Sequence, residues 1–221
     1  DGIEGEALAF EQVPDIILSD VMMPGKDGFE VLESLKNDQR TSHIPIVMLT
    51  AKSNVQDRIH GLKKGADAYL GKPFEEEELF AILKNLKEQS ARWQQYFTRL
   101  INQPAEEDSA QVEDQFIHQA RKAVLDNLSD EEFHSPELQK TMAMGKTQLW
   151  RKLTALTGMS TSQFINYVRL QKAKELIETS TSNISEIAYQ CGYKDPNYFS
   201  RLFVELYGLT PSEVRHRKAV A

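Results

Sequence analysis

Two hydrophobic periods divide this chain. Up to about residue 73, short apolar runs of strand type alternate with segments whose apolar residues recur at helical spacing; from residue 113 onward only the helical period remains. A chain written this way is neither one uniform bundle nor one uniform sheet. Its first part argues for a doubly wound α/β sheet and its last part for an all-α domain. The 221 residues are enough for a core in each.

The strand-like runs are 15–20 (DIILSD), 44–50 (IPIVMLT) and 66–73 (ADAYLGKP), and the helix-like segments are 27–37 (Phe29, Val31, Leu32, Leu35), 54–64 (Val55, Ile59, Leu62) and 75–88 (Leu79, Ile82, Leu83, Leu86). In doubly wound sheets ligands bind outside the carboxyl ends of the strands. Asp20, Thr50 and Lys72 fall at those ends of three successive strands. A carboxylate there can attack a phosphoryl group, an amine can offset the charge of the acyl phosphate, and a hydroxyl can hydrogen-bond a phosphoryl oxygen. The acidic run Glu75–Glu78 follows Pro73 at a helix start, where acids suit the macrodipole and need no ligand role.

The segments DIILSDVMMPGKDG, IVMLTAK and GADAYLGKPF resemble the three signatures of the response-regulator receiver domain, in order and spacing. The resemblance implies a flavodoxin-like fold, Asp20 as phosphoacceptor, Thr50 and Tyr69 as switch residues and Lys72 as the phosphate-pairing lysine. It also implies Mg²⁺ held by Asp20 and the Met22 carbonyl, with Pro24 and Gly28 shaping the loop. In the family an acidic pair completes the magnesium site, and it lies in a first strand, first helix and second strand that have no counterpart here. The chain starts at about the second helix, so we expect an incomplete receiver, a fragment of a longer polypeptide, with an exposed apolar sheet edge. Mg²⁺ binding and phosphate acceptance are expected to be poor in this form.

Residues 89–101, with Trp93, Tyr96, Phe97 and Leu100, can extend the 75–88 helix into an arm whose aromatics pack internally or on a neighbouring chain. The stretch from about 102 to 112 has Pro, Ser and acids without apolar periodicity and reads as a linker. The expected divisions are therefore a receiver over 1–88, arm and linker over 89–112, and a helical domain over 113–221.

The helical part breaks into two units of short helix, turn and second helix, at about 135–156 and 184–206, joined by a helix over 161–179. Thr161 or nearby Ser160, Asn183 and Pro211 are start signals and Gly158 a stop signal. Nineteen residues span about 28 Å, near the roughly 34 Å of a DNA turn, so two recognition helices can reach successive major grooves. The first of these helices offers Lys146, Thr147, Gln148, Trp150 and Arg151 at its exposed start, and the second Asp195, Asn197, Tyr198, Ser200 and Arg201, with Lys194 beside it. Leu149, Leu153, Phe199 and Phe203 point to the core. The segment ISEIAYQCGYKDPNYFSRLFVELYGLTPSEVR closely resembles the AraC/XylS-type DNA-binding domain, which implies that both recognition helices contact double-stranded DNA. One departure is Gly145 at the start of the first recognition helix, where that family commonly has Ser or Thr.

Charge supports the division. Residues 1–119 carry 12 Lys+Arg against 22 Asp+Glu, whereas from Leu138 onward the count is 12 against 6. The basic character thus concentrates where a polyanion would dock. One cysteine, Cys191, excludes an internal disulfide and reads as a small buried apolar residue, and the five histidines show no metal spacing. The longest apolar stretch, 44–51, is far short of the roughly 20 residues that span a bilayer, so no membrane insertion by this chain is expected.

The combined expectation is a cytoplasmic transcription regulator, not an enzyme, governed by phosphorylation of Asp20 in a two-component phosphorelay. Its histidine kinase is separate or in the same polypeptide, in which case the chain is the cytoplasmic end of an inner-membrane hybrid sensor. A homodimer is expected. An aspartyl-phosphate hydrolase needs a second acid two residues after the nucleophile, and Met22 stands there. The alternative is a truncated receiver serving only as a phosphorylation-independent dimerisation or docking module for the DNA-binding domain.

Overall fold

The computed structural model describes residues 1–51, 64–101 and 112–220. The helix expected over 54–64 and most of the linker lie outside the described residues. Helix α1 (Gly2–Gln12) is followed by β1 (Ile17–Asp20), α2 (Gly28–Asn37), β2 (Ile46–Ala51), β3 (Ala68–Lys72) and α3 (Glu76–Leu100). The strands form a parallel sheet in the order β1-β2-β3. Side-chain alternation along β2 sorts its apolar residues to two faces. Ile46 and Met48 pack with Leu32 and Leu35 of α2 on one face, and Val47 packs with Leu70 and Leu86 of β3 and α3 on the other. That is the doubly wound arrangement expected from the sequence. Each fully buried leucine in such a layer contributes about 1.5–3 kcal/mol relative to an exposed one. Among the described residues β1 is paired on one side only, and its Leu18 is 45% exposed, the apolar edge expected from the sequence.

Helix α3 runs without a break for 25 residues, so the 75–88 segment and the aromatic arm are one helix. Its far end leaves the sheet and enters the helical half: Phe97 and Ile101 are buried there with Phe116, Ile117, Leu149, Leu153 and Phe164. Trp93, Tyr96 and Phe97 also pack on one another, with ring centroids 5.2–5.8 Å apart.

The helical half consists of α4 (Val112–Asp126), α5 (Ser135–Thr141), α6 (Lys146–Thr157), α7 (Thr161–Thr179), α8 (Ile184–Gln190), α9 (Pro196–Tyr207) and α10 (Pro211–Val220). Its caps follow the sequence: the Ser160 hydroxyl accepts from Gln163 N and the Asn183 side chain from Glu186 N. Helices α6 and α9 end at Gly158 and Gly208, with φ 73° and 69°, a left-handed turn that costs glycine no Cβ clash. Helix α7 is the spine of both units. Phe164, Ile165 and Val168 face the first core, and Leu170, Ala173 and Ile177 face the second. The buried Arg169 between them donates to the carbonyls of Asp130 and Phe133, tying the turn before α5 to this spine.

Candidate functional site

The sheet brings the three chemical side chains together. Asp20 is the last residue of β1 and pairs with Leu49, while Thr50 and Ala51 of β2 pair with Gly71 and Lys72 of β3. Asp20, Thr50 and Lys72 therefore sit at the carboxyl ends of three adjacent parallel strands. The Lys72 ammonium is ion-paired with the Asp20 carboxylate, and Met22 N donates to the other carboxylate oxygen at 3.3 Å. Lys72 beside it holds the Asp20 carboxyl below the usual carboxylate range, so the group is ionised at neutral pH. Its side chain is 34% exposed. Thr50 is buried at the strand end, and Tyr69 packs partly buried against the α2 face of the sheet.

The loop after Asp20 depends on one close approach. Gly28 N donates to Val21 O at 3.0 Å, and a Cβ on Gly28 would lie 2.1 Å from the Asp20 carbonyl oxygen. Only glycine lets α2 start this close to the end of β1. Asp27 caps that helix by accepting from Glu30 N at 2.8 Å. Magnesium favours octahedral oxygen coordination built around carboxylates. Among the described residues no group of three His, Cys, Asp or Glu is placed to hold a metal, leaving Asp20 and the Met22 carbonyl as an insufficient donor set.

The second candidate surface comprises α6 and α9. Leu149, Leu153, Phe199 and Phe203 are fully buried, which sets the outward faces as expected. On α9, Asn197, Tyr198 and Arg201 are exposed, and the Arg201 guanidinium lies 5.2 Å from the Tyr198 ring centroid. Three neighbouring side chains have local partners. Asp195 accepts from Asn197 N at 2.9 Å as the helix cap, the Ser200 hydroxyl donates to Pro196 O at 2.8 Å, and Lys194 is ion-paired with Glu132.

On α6, Lys146, Thr147 and Trp150 are exposed, but Gln148 and Arg151 are not the free side chains the sequence suggested. Gln148 Nε2 donates to Phe10 O at 3.1 Å and Arg151 Nη1 to Val13 O at 2.8 Å, both at the end of α1. Lys152, one residue on, is fully buried and donates to Gln39 O and, at 3.1 Å, to Ser42 Oγ. A cavity of about 690 Å³ lined by Ile16, His43, Leu86, Trp93 and Trp150 remains beside this contact and leaves Trp150 half-exposed. Sequence reasoning missed the contact because its acceptors are mostly main-chain carbonyls. Cys191 is buried, and burial pushes its thiol up to about 12, so it is the inert apolar residue expected.

The chain thus joins a strand-end Asp–Thr–Lys set on a doubly wound sheet to paired helix-turn-helix units. Residues 1–84 match the family model of the response regulator receiver domain and residues 138–217 that of a helix-turn-helix domain of AraC type. Each match covers a little over a third of the chain. It is 36% identical over 211 residues to histidine kinase P4 of Formosa agariphila, covering 95% of this chain and 15% of that protein. It is 48% identical over 92 residues to the DNA-binding dual master transcriptional regulator RpaA of Synechocystis sp., covering 42% of this chain and 38% of that protein. Among solved structures, a DNA-binding transcriptional dual regulator from Escherichia coli K-12 is 28% identical, with a TM-score of 0.43 and coverage of 47% of this chain and 91% of that one. The chain thus spans well under half the length of either curated relative. No helix among the described residues is long and apolar enough to cross a membrane.

Proposed function

We propose that this chain is the output part of a two-component system, in which Asp20 takes a phosphoryl group from a histidine kinase and the two helix-turn-helix units bind duplex DNA. The observation that carries the reading is the Asp20 carboxylate, ionised beside Lys72 at the end of a strand, in the same chain as two recognition helices. In the transfer a carboxylate oxygen of Asp20 attacks the phosphorus of a phosphohistidine, the P–N bond breaks, and its electron pair returns to the imidazole. Lys72 then offsets charge on the acyl phosphate, with the Thr50 hydroxyl positioned at the neighbouring strand end to meet a phosphoryl oxygen. The donor set at the strand ends does not complete a magnesium site, so the ion's other ligands have to come from outside the described residues. The similarity to a histidine kinase along nearly the whole chain supports a hybrid parent with kinase and regulator in one polypeptide. We further propose that it works in the cytoplasm as a homodimer.

Asp20→Asn in the longer parent polypeptide is expected to abolish phosphoryl incorporation from acetyl phosphate or from the kinase, because an amide is no nucleophile, while leaving the fold intact. Equal labelling of parent and variant overturns the reading. The 221-residue chain alone is expected to label weakly in Mg²⁺, and stoichiometric labelling would show that its own residues suffice.

A further inference from the structure

We infer that the cavity bordered by Trp93 and Trp150 is a binding site for a small aromatic zwitterion, an aromatic α-amino acid in class, whose carboxylate meets Arg151 and whose ammonium meets Glu113. The site is separate from the strand-end Asp20 set and from the outward residues of α9, and the inference rests on neither phosphoryl transfer nor DNA binding.

Size and wall chemistry select the ring. At about 690 Å³ the cavity falls within the roughly 300–1,000 Å³ of small-molecule pockets, and like many of them it lies where two packed units meet. Ile16, Leu86, Phe97 and Leu156 give it an apolar wall. Trp93 and Trp150 line it too, and they are 40% and 46% exposed. Two large aromatic surfaces are thus left partly in water at one hollow, where a flat ring would bury them.

Charge selects the rest of the ligand. The lining carries Lys36, Lys87 and Arg151 against Asp15, Asp67 and Glu113, so it favours no net charge in its occupant. Lys36 pairs with Asp67 at 2.9 Å, and Lys87 and Asp15 are exposed to water. Arg151 and Glu113 remain, both half-buried. Arg151 donates from Nη1 to Val13 O, but its Nε and the Glu113 Oε1 are buried with no hydrogen-bond partner among the described residues. Both atoms lie behind the cavity surface, so a ligand meets them through a rotation of the outer side-chain bonds. The Lys152 ammonium acts on Glu113 at a distance, its hydrogen bonds going to Gln39 O and Ser42 Oγ. An unmet cation and an unmet anion in one wall call for a ligand with both signs, because charge-assisted hydrogen bonds are about twice as strong as neutral ones. His43, also in the lining, adds a partner without adding charge. Burial, with repulsion from Lys152 and Lys36, pushes its imidazole down to about 3, so the ring is neutral, and its buried Nδ1 has no partner among the described residues.

Titration calorimetry of the 221-residue chain with L-tryptophan tests the site, beside tryptamine, which lacks the carboxylate, indole-3-propionate, which lacks the ammonium, and guanosine, a flat probe without charge. L-Tryptophan is expected to bind and each of the others to bind at least about tenfold more weakly, the loss of one hydrogen bond to a charged group. Glu113→Gln keeps the side chain's size and removes its charge. It is expected to weaken L-tryptophan by about tenfold and leave indole-3-propionate unchanged, a split that a merely structural role for Glu113 would not produce. Ala91→Trp fills the cavity from an exposed position on α3 and is expected to abolish L-tryptophan binding with the circular dichroism spectrum unchanged. The absence of any heat with L-tryptophan up to millimolar concentration overturns the site. Binding that survives both substitutions unchanged places the ligand elsewhere and overturns it equally. Indole-3-propionate or guanosine binding as tightly as L-tryptophan overturns the zwitterion.

Discussion

Helices α6 and α9 are the same device in two surroundings. Each is 12 residues long, each ends at a glycine in the left-handed region, and each places its buried anchors at the fourth and eighth residues, Leu149 and Leu153 in one, Phe199 and Phe203 in the other. Arg151 and Arg201 both occupy the sixth position. Yet Arg201 faces solvent beside Tyr198 while Arg151 donates to the receiver. Helical register decides which residues a recognition helix presents, and packing decides whether they are available. The cores differ in the same way. The first unit is completed by Phe97 and Ile101 at the far end of α3, whereas the second closes on its own residues.

The largest expected effect tests whether the second unit stands by itself. Phe203 is fully buried in a ladder with Phe199 and Tyr207, at centroid separations of 5.7 and 4.6 Å. Phe203→Ala should cost about 3–5 kcal/mol through lost transfer energy and the cavity left behind. Both tryptophans, Trp93 and Trp150, lie on the side of the first unit, so tryptophan fluorescence in urea should keep its midpoint while far-ultraviolet circular dichroism gains an earlier transition. Coincident, equally shifted transitions would break the comparison by showing one cooperative unit.

Next in size is the buried lysine that belongs to the first unit alone. Burial lowers the Lys152 amine from 10.5 to about 8, although Glu113 and Asp38 pull it back up; Lys36 and the neutral His43 lie on the receiver side. Between about pH 8 and 10.5 the unfolded chain holds the proton that the folded chain has released, so the contribution of Lys152 to stability rises with pH there. Below about pH 8 it is protonated in both states and the burial cost is constant. The rise amounts to about 3 kcal/mol at 1.36 kcal/mol per unit. Denaturant midpoints measured from pH 7 to 10.5 should climb more steeply in the parent chain than in Lys152→Met, and parallel curves would place Lys152 in water.

Much of this was legible in the sequence. Strand-end placement of Asp20, Thr50 and Lys72 follows from where apolar runs stop, a local signal, and the anchors of both recognition helices follow from a period of 3.6. The docking of α6 was not legible, because Phe10, Val13 and Gln39 contribute main-chain oxygens that every residue carries, and the partners lie more than 100 positions apart. Nor was the local use of Asp195 and Ser200 as cap and back-bonded hydroxyl separable from base contact, since the same side chains serve either purpose.

Arginine substitution sharpens the comparison at the DNA. Arg201→Ala should lose about 1–3 kcal/mol of binding and relax preference at one base position if Arg201 reads a base. Arg151→Ala should lose less in the same assay, because that side chain is already engaged with the Val13 carbonyl. Lys146→Ala and Lys194→Ala should instead weaken all sequences alike and lower the salt slope by about one unit each. Equal losses from both arginines, measured on operators selected from a random library, would show the two helices equally engaged.

The smallest effect lies at the start of α6. Its cap is Gly145, which offers no side-chain acceptor, whereas α9 has the Asp195 carboxylate. Gln148 covers part of the gap: Oε1 accepts from Gly145 N at 3.0 Å while Nε2 reaches Phe10 O, so one side chain serves both the helix start and the contact with α1. Gly145 has φ −65°, which any residue adopts, and a Cβ there meets nothing closer than Gln148 Oε1 at 3.4 Å. Serine therefore fits and can accept from a first-turn amide. Replacing glycine by a good cap is worth only a few tenths of a kcal/mol, since glycine is itself tolerated at this position. Gly145→Ser should raise the melting temperature slightly. If the added hydroxyl instead draws Gln148 off Gly145 N, the melting temperature will fall, showing that the helix cap and the contact with α1 share that glutamine as a single support.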